Sequence, residues 1–362
     1  VQKIPLVDVK GTFASVRAEV EQAFSDVLDG GQYVRGPQFY AFQEEAAAYL
    51  GVKGSVGVAN GTDALVLVLD ALEIGPGDEV ICPAFTFYAT AESIARRGAT
   101  PVFADIDPVT LNLDPDDVAA KVTERTKAIM PVHLFGRPAP LDELVQLGLP
   151  VIEDAAQAFG SRGVAQQGTI ATFSFFPTKN LFCIGDGGLV AGNDEELLER
   201  VRVLAFHGSR DKVDFDFVGY NSRLDEVQAA ILRIFLKQLD AWTEGRREAA
   251  ARYAELGLGE LVELPQDEPT HVYHLFVCKS PERDTVVSAL KEAGIGTATY
   301  YVTPLHLQPA LRFLGWKPGS LPVTEQVATE NFSVPLWPGI PPEAQERVVD
   351  VVRSAVGAVA RA

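Results

Sequence analysis

The sequence predicts an α/β fold: a large domain built on a mostly parallel, seven-stranded sheet covered by helices, and a smaller α+β domain after it. Three observations carry the prediction. Seven short apolar runs alternate with helical stretches as far as residue 204, the rhythm changes after Tyr220, and 362 residues exceed the size at which one hydrophobic core keeps growing.

The apolar runs lie at 56–59, 79–82, 102–105, 128–132, 151–153, 172–176 and 188–191, with helical stretches at 62–73, 88–96, 141–147 and 195–204 between them. Runs that are apolar on both faces, joined by helical crossovers, belong to a parallel sheet covered on both sides. Two helices, near 13–28 and 39–50, precede the sheet, and the Gly-rich segment 30–37 between them suits either a mobile loop near a ligand or an ordinary connector. Beyond Tyr220 one long helix is expected, because Leu224, Val227, Ile231, Ile234, Phe235 and Leu239 recur at three- and four-residue spacing. It would bridge the two domains, 1–240 and 241–362. Strand-like runs at 272–279 and 296–301, a helix over 283–293 and another over 343–359 make up the second domain.

Composition excludes several function classes. Hydrophobic residues at 47% and charged ones at 22% are ordinary for a soluble protein, and no apolar run reaches the roughly 20 residues of a membrane-spanning helix. Residues 1–10 carry no secretory pattern, so the cytoplasm is the expected compartment. Cys82, Cys183 and Cys278 are far apart with apolar neighbours, which reads as buried reduced thiols rather than a disulfide or metal site. A formal charge of −18 argues against an extended nucleic-acid surface. It does not forbid a small phosphorylated ligand held by backbone amides at a helix start.

Three places carry candidate chemistry. Asn60-Gly61-Thr62-Asp63 follows a strand and opens a helix, where free N–H groups and the Thr62 hydroxyl could take a phosphate; a plain turn with a helix cap looks the same. Glu153-Asp154 ends a buried strand, where a ligand crevice is expected, and Gln157 follows three residues on. An acid there can hold a cationic ring nitrogen or merely cap the next segment. Lys179, in Ser174-Phe175-Phe176-Pro177-Thr178-Lys179-Asn180, ends an apolar strand before the turn Gly185-Asp186-Gly187-Gly188. That setting suits a Schiff-base lysine approached by a bulky cofactor, although most lysines are solvated surface groups.

In the order phosphate loop, acid, lysine, and with Pro76-Gly77-Asp78-Glu79, Pro131-Val132-His133-Leu134-Phe135-Gly136 and Gly219-Tyr220-Asn221-Ser222-Arg223-Leu224 in their places, the chain resembles the DegT/StrS-type sugar aminotransferases. These are fold-type I pyridoxal-phosphate enzymes, and the resemblance covers nearly the whole length. It implies that Lys179 binds the cofactor and shuttles a proton, and that Asp154 pairs with the pyridinium nitrogen. Gln157 would bond the phenolic oxygen, and Phe87 would stack on the ring, with a core Phe as its alternative. Gly61, Thr62 and Ser174 would hold the phosphate, joined by Asn221 from the neighbouring subunit of a homodimer. Arg223 of that neighbour would meet the nucleotide sugar, unless it merely pairs with Asp225 or Glu226. His133 and His207 match family positions but read as structural.

The activity so implied is transfer of an amino group, from L-glutamate, to a dTDP- or UDP-linked 3-keto or 4-keto hexose, with pyridoxamine phosphate as the intermediate cofactor form. No metal is expected. Two departures from the family pattern matter. Phe182-Cys183-Ile184 stands where small residues are common, which suggests a different substrate pocket, and Tyr300-Tyr301-Val302 replaces a common His-Tyr-Pro, which leaves the aminated carbon open. A cyclitol ketone or an aminobenzoate precursor is the alternative acceptor. Relatives that act as dehydratases replace the lysine by histidine, and Lys179 argues against that branch. A dinucleotide-binding oxidoreductase is disfavoured because no Gly-x-Gly-x-x-Gly turn stands at Val58-Asn60-Gly61, and a non-catalytic regulator because Lys179 and Asp154 are intact.

Overall fold

The computed structural model describes residues 3–359. Its large sheet is built from β1 (Gly54–Val58), β2 (Glu79–Pro83), β3 (Thr100–Ala104), β4 (Thr126–Ile129), β5 (Ile152–Asp154), β6 (Ile170–Ser174) and β7 (Gly188–Gly192). Two ladders, β1-β7-β6-β5 and β3-β2-β4, are joined edge to edge by parallel bridges Ile129–Val151 and Val132–Asp154. The result is the expected seven-stranded sheet. β7 runs antiparallel to both of its neighbours, and the remaining pairings among these strands are parallel.

Alternation along the strands explains why both faces are covered. On β6, Ile170 packs with the helices Gly61–Ala71 and Glu195–Ala205, whereas Ala171 and Phe173 pack with Pro37–Leu50 and Glu226–Leu236 on the other side. β8 (Phe276–Lys279) and β9 (Asn331–Val334) form a separate antiparallel pair, packed with the helices Leu239–Glu255, Arg283–Glu292 and Pro342–Val359 around Tyr253, Phe332 and Val348. Among the described residues no helix is long and apolar enough to cross a membrane. The three cysteines are free and buried.

Three sequence expectations are corrected, and an alternative left open for the segment 30–37 is resolved. The long helix after Tyr220 is two helices, Glu226–Leu236 and Leu239–Glu255, broken at Lys237-Gln238. The second one, not the first, reaches both cores, with Leu239 and Trp242 in one and Ala249, Ala250 and Tyr253 in the other. The run 296–301 is not a strand, since it makes a single bridge, Ala298–Ser333, and β9 is the partner of β8. Fully buried Asn331 and Ser333 hide β9 from a search for apolar alternation. The segment 30–37 is a connector outside the site: the Glu226 carboxylate accepts from the N–H groups of Gly36, Gln38 and Phe39 at 2.9, 2.6 and 3.0 Å and so caps Pro37–Leu50. Phe182 and Cys183 turn into the core against Phe235 and Trp242, while Ile184 is half exposed, so most of the bulk of this turn is taken up by the core.

Candidate active site

The carboxyl ends of the parallel strands open on a cavity of about 680 Å³, where a doubly wound sheet places its ligands. Gly61, Thr62, Phe87, Asp154, Gln157, Ser174, Lys179, Tyr300 and Tyr301 all line it. Segments far apart in sequence meet there because β1, β6 and β5 end at the same edge of the sheet, with the start of β7 between β1 and β6.

The helix start is both cap and candidate phosphate seat. Asn60 Oδ1 accepts from Asp63 N at 2.8 Å, which leaves the Gly61 and Thr62 N–H groups facing the cavity end of the helix. Glycine is required at 61 and 188: a Cβ on Gly61 would stand 2.8 Å from Ser174 Cβ, and one on Gly188 would stand 2.5 Å from the Asn60 carbonyl.

Consecutive acids on β5 face opposite ways. Glu153 accepts from Ala165 N, Gly168 N and His133 Nε2, each at 2.9 Å, and His133 Nδ1 accepts from Ala139 N at 2.9 Å. His133 is therefore the structural residue expected, with its proton on Nε2. Asp154 faces the cavity, where Thr90 Oγ1 donates to Oδ2 at 2.8 Å and Ala156 N to Oδ1 at 3.2 Å. Burial raises the Asp154 carboxyl above its ordinary range, opposed by these two donors and by the charge of Lys179. Burial likewise lowers the Lys179 amine to about 8, against the pull of Asp154. The two groups sense each other across the cavity but make no ion pair among the described residues.

Gln157 bridges two elements: its Oε1 accepts from Phe135 N at 2.6 Å and its Nε2 donates to Tyr301 Oη at 3.2 Å. Phe87 is 60% exposed, which removes the core-Phe alternative and leaves its face free. Asn221 and Arg223 do not line this cavity. Arg223 lies instead beside Phe206, its Cζ 6.0 Å from the ring centroid, with Arg35 Cζ at 4.1 Å and Lys212 Nζ at 4.9 Å from the same ring. His207 lies in the loop beside that ring, its N–H donating to Tyr220 O at 2.7 Å, and it does not line the cavity either.

Sequence reasoning missed Leu6, Val7, Thr90, His274 and Leu275. Thr90, in the first turn of the helix Ala89–Arg96, does not line the cavity itself and belongs to the site through its bond to Asp154. The others reach the site through tertiary contacts alone.

A family model, the DegT/DnrJ/EryC1/StrS aminotransferase family, matches residues 14–353. The chain belongs to this family. This aminotransferase is 46% identical to a "pleiotropic regulatory protein" of Geobacillus stearothermophilus, over 96% of this chain and 97% of the relative. It is 43% identical to the dTDP-3-amino-3,4,6-trideoxy-alpha-D-glucose transaminase of Streptomyces venezuelae, over 97% and 96%. To the UDP-N-acetyl-3-dehydro-alpha-D-glucosamine 3-aminotransferase of Acidithiobacillus ferrooxidans it is 44% identical, over 97% of each. Among solved structures, S. venezuelae DesV in complex with a ketimine intermediate superposes with a TM-score of 0.95 at 43% identity, over 98% of this chain and 99% of that one. Pyridoxal phosphate is the family's cofactor, and this site fits it: a buried carboxylate with neutral donors and no cation in contact, a partly buried amine, and a glycine-led helix start share one cavity.

Proposed function

We propose that this aminotransferase moves an amino group from L-glutamate to carbon 3 of a dTDP- or UDP-linked keto-hexose. One observation carries the reading: Lys179 and Asp154 meet in one cavity with the helix start at Gly61-Thr62. Carbon 3 is favoured because three of the relatives above 40% identity are named for 3-amino or 3-dehydro sugars.

Bound pyridoxal phosphate supplies an electron-withdrawing ring that carries the amine between donor and acceptor. Lys179 Nζ would hold it and would take and return the substrate's proton, a task suited to an amine lowered to about 8. Asp154, oriented by Thr90 and Ala156, holds the proton on the ring nitrogen. Gln157 would bond the phenolic oxygen, Phe87 would offer a face to the ring, and Gly61, Thr62 and Ser174 would hold the phosphate. Tyr300 and Tyr301 contact the sugar. Asn221 and Arg223 reach the site of the partner subunit in a cytoplasmic homodimer, which accounts for their position away from their own cavity. The division into 1–240 and 241–362 belongs to the same reading, and the helix Leu239–Glu255 lies at that boundary.

The test starts from enzyme whose cofactor has been converted to the pyridoxamine form with L-glutamate. Keto-sugars are then added singly, and return of the pyridoxal absorbance is followed. Return with dTDP- or UDP-3-keto-hexoses supports the reading. Return with a cyclitol ketone or an aminobenzoate precursor alone rejects it.

A further inference from the structure

Behind Lys179 stand buried polar side chains that the proposed machinery does not use. His274 is 5% exposed, lines the same cavity, and its Nδ1 is buried without a hydrogen-bond partner. Among the described residues no group bonds its Nε2 either. A buried polar side chain left open toward a cavity signals a partner that arrives during function.

The segment carrying His274 is clamped to the lysine. Asn180, next to Lys179, donates from Nδ2 to Val272 O at 2.8 Å, and the buried Arg246 donates from Nη1 to Tyr273 O at 3.3 Å. Val272 N and His274 N donate in turn to Gly136 O at 2.9 Å and Phe135 O at 2.8 Å. A Cβ on Gly136 would stand 2.9 Å from His274 N, so this approach requires glycine. The lysine and the imidazole thus have a fixed relative place, set through Asn180.

Charge decides which partner fits. Burial, then the cations Lys179 and Arg246, keep the His274 ring neutral, well below its ordinary range. A neutral imidazole keeps one acceptor nitrogen, while a lysine ammonium has donors and no acceptor. Asp154 is the charged group that faces Lys179 from across the cavity, and it makes no ion pair with it.

We propose that His274 is a positioning residue for Lys179: the two make no hydrogen bond in the structure described, and a turn of the lysine side chain, open to it when the lysine is not joined to the cofactor, brings Nζ to a free ring nitrogen that accepts from it. The amine is thereby aimed for proton transfer. This rests on the reading of Lys179 as the proton-carrying amine.

The experiment compares wild type with His274→Phe and His274→Gln. In the full chain freed of cofactor, labelling of Lys179 by an acetylating reagent is followed against pH. Wild type should reach half-maximal labelling above pH 8, since burial and Asp154 alone set the amine at about 8 and the bond to His274 adds to that. The Phe variant should shift down by about one unit, since the ammonium loses its acceptor, and Gln should restore the profile. In the holoenzyme, the Phe variant should lose about 10-fold in kcat and show a larger isotope effect with α-deuterated donor, with donor KM changed by less than about two-fold. If the Phe variant does not fold, His274→Leu is read in the same two ways. An unmoved labelling profile together with an unmoved isotope effect overturns the inference. Borohydride fixation of the cofactor on a lysine other than Lys179 overturns the inference and the functional reading together, whereas fixation on Lys179 with both readings unmoved overturns the inference alone.

Discussion

Glu153 and Asp154 are neighbours on β5 and yet serve opposite faces of the sheet: Glu153 is saturated by three donors inside the fold, and Asp154 is left open to the cavity. The two-residue period of a strand makes this separation automatic. It also makes the two carboxylates distinguishable by experiment.

Asp154→Asn should keep bound cofactor and lose most transamination. On the proposed assignment the phosphate seat at Gly61, Thr62 and Ser174 is untouched, while the ring nitrogen loses its counter-charge. A fall of roughly 100-fold in kcat corresponds to about 2.7 kcal/mol of transition-state stabilisation. Steady-state rates beside the visible spectrum of the variant check this, and near-normal turnover would assign the ring nitrogen to another acid.

Glu153→Gln should do the reverse. Both carboxylate oxygens accept, and His133 cannot switch tautomer because Nδ1 already accepts from Ala139 N. Whichever way the amide turns, its NH₂ faces another donor, at a cost of about 2–4 kcal/mol. Urea unfolding should show that loss, and the fraction that remains folded should turn over at close to the wild-type rate. Full stability with lost activity would be the contrary result.

Lys179 gives the protein without cofactor a pH signature. Folding holds its amine at about 8, whereas the unfolded chain titrates near roughly 10.4. Between those values the unfolded state binds more protons, so this residue's contribution to stability rises with pH through that window and is constant below it. Lys179→Met should therefore be more stable than wild type below pH 8, by about 1 kcal/mol or more, and the advantage should shrink toward pH 10.5. Urea midpoints for the two proteins across this range test it. A difference that does not vary with pH would show that the amine is not held down by burial.

Arg223 provides the test of the shared site. Lys179→Ala and Arg223→Ala subunits, each strongly impaired alone, should complement when mixed under exchange conditions. About half of randomly paired dimers are mixed, and each of those has one intact site, so activity near a quarter of wild type is expected. With exchange demonstrated, a mixture no more active than the mean of its parents places Arg223 in its own subunit's chemistry or in none.

The sheet was legible in the sequence because buried parallel strands are continuous apolar runs, whereas Asn60-Gly61, Asp154 and Lys179 each had an ordinary structural reading and were joined into one site by the family resemblance. Three things were decided by tertiary structure. β9 is recognised by its partner β8, since its fully buried Asn331 and Ser333 read as polar in one dimension. The break at Lys237-Gln238 leaves the apolar spacing intact on either side, so periodicity runs through it, and packing against two different cores is what sets it. His274 and Thr90 belong to the site through contacts between residues 64 or more positions apart in the chain, as in the Thr90–Asp154 bond, and no local pattern encodes such a meeting.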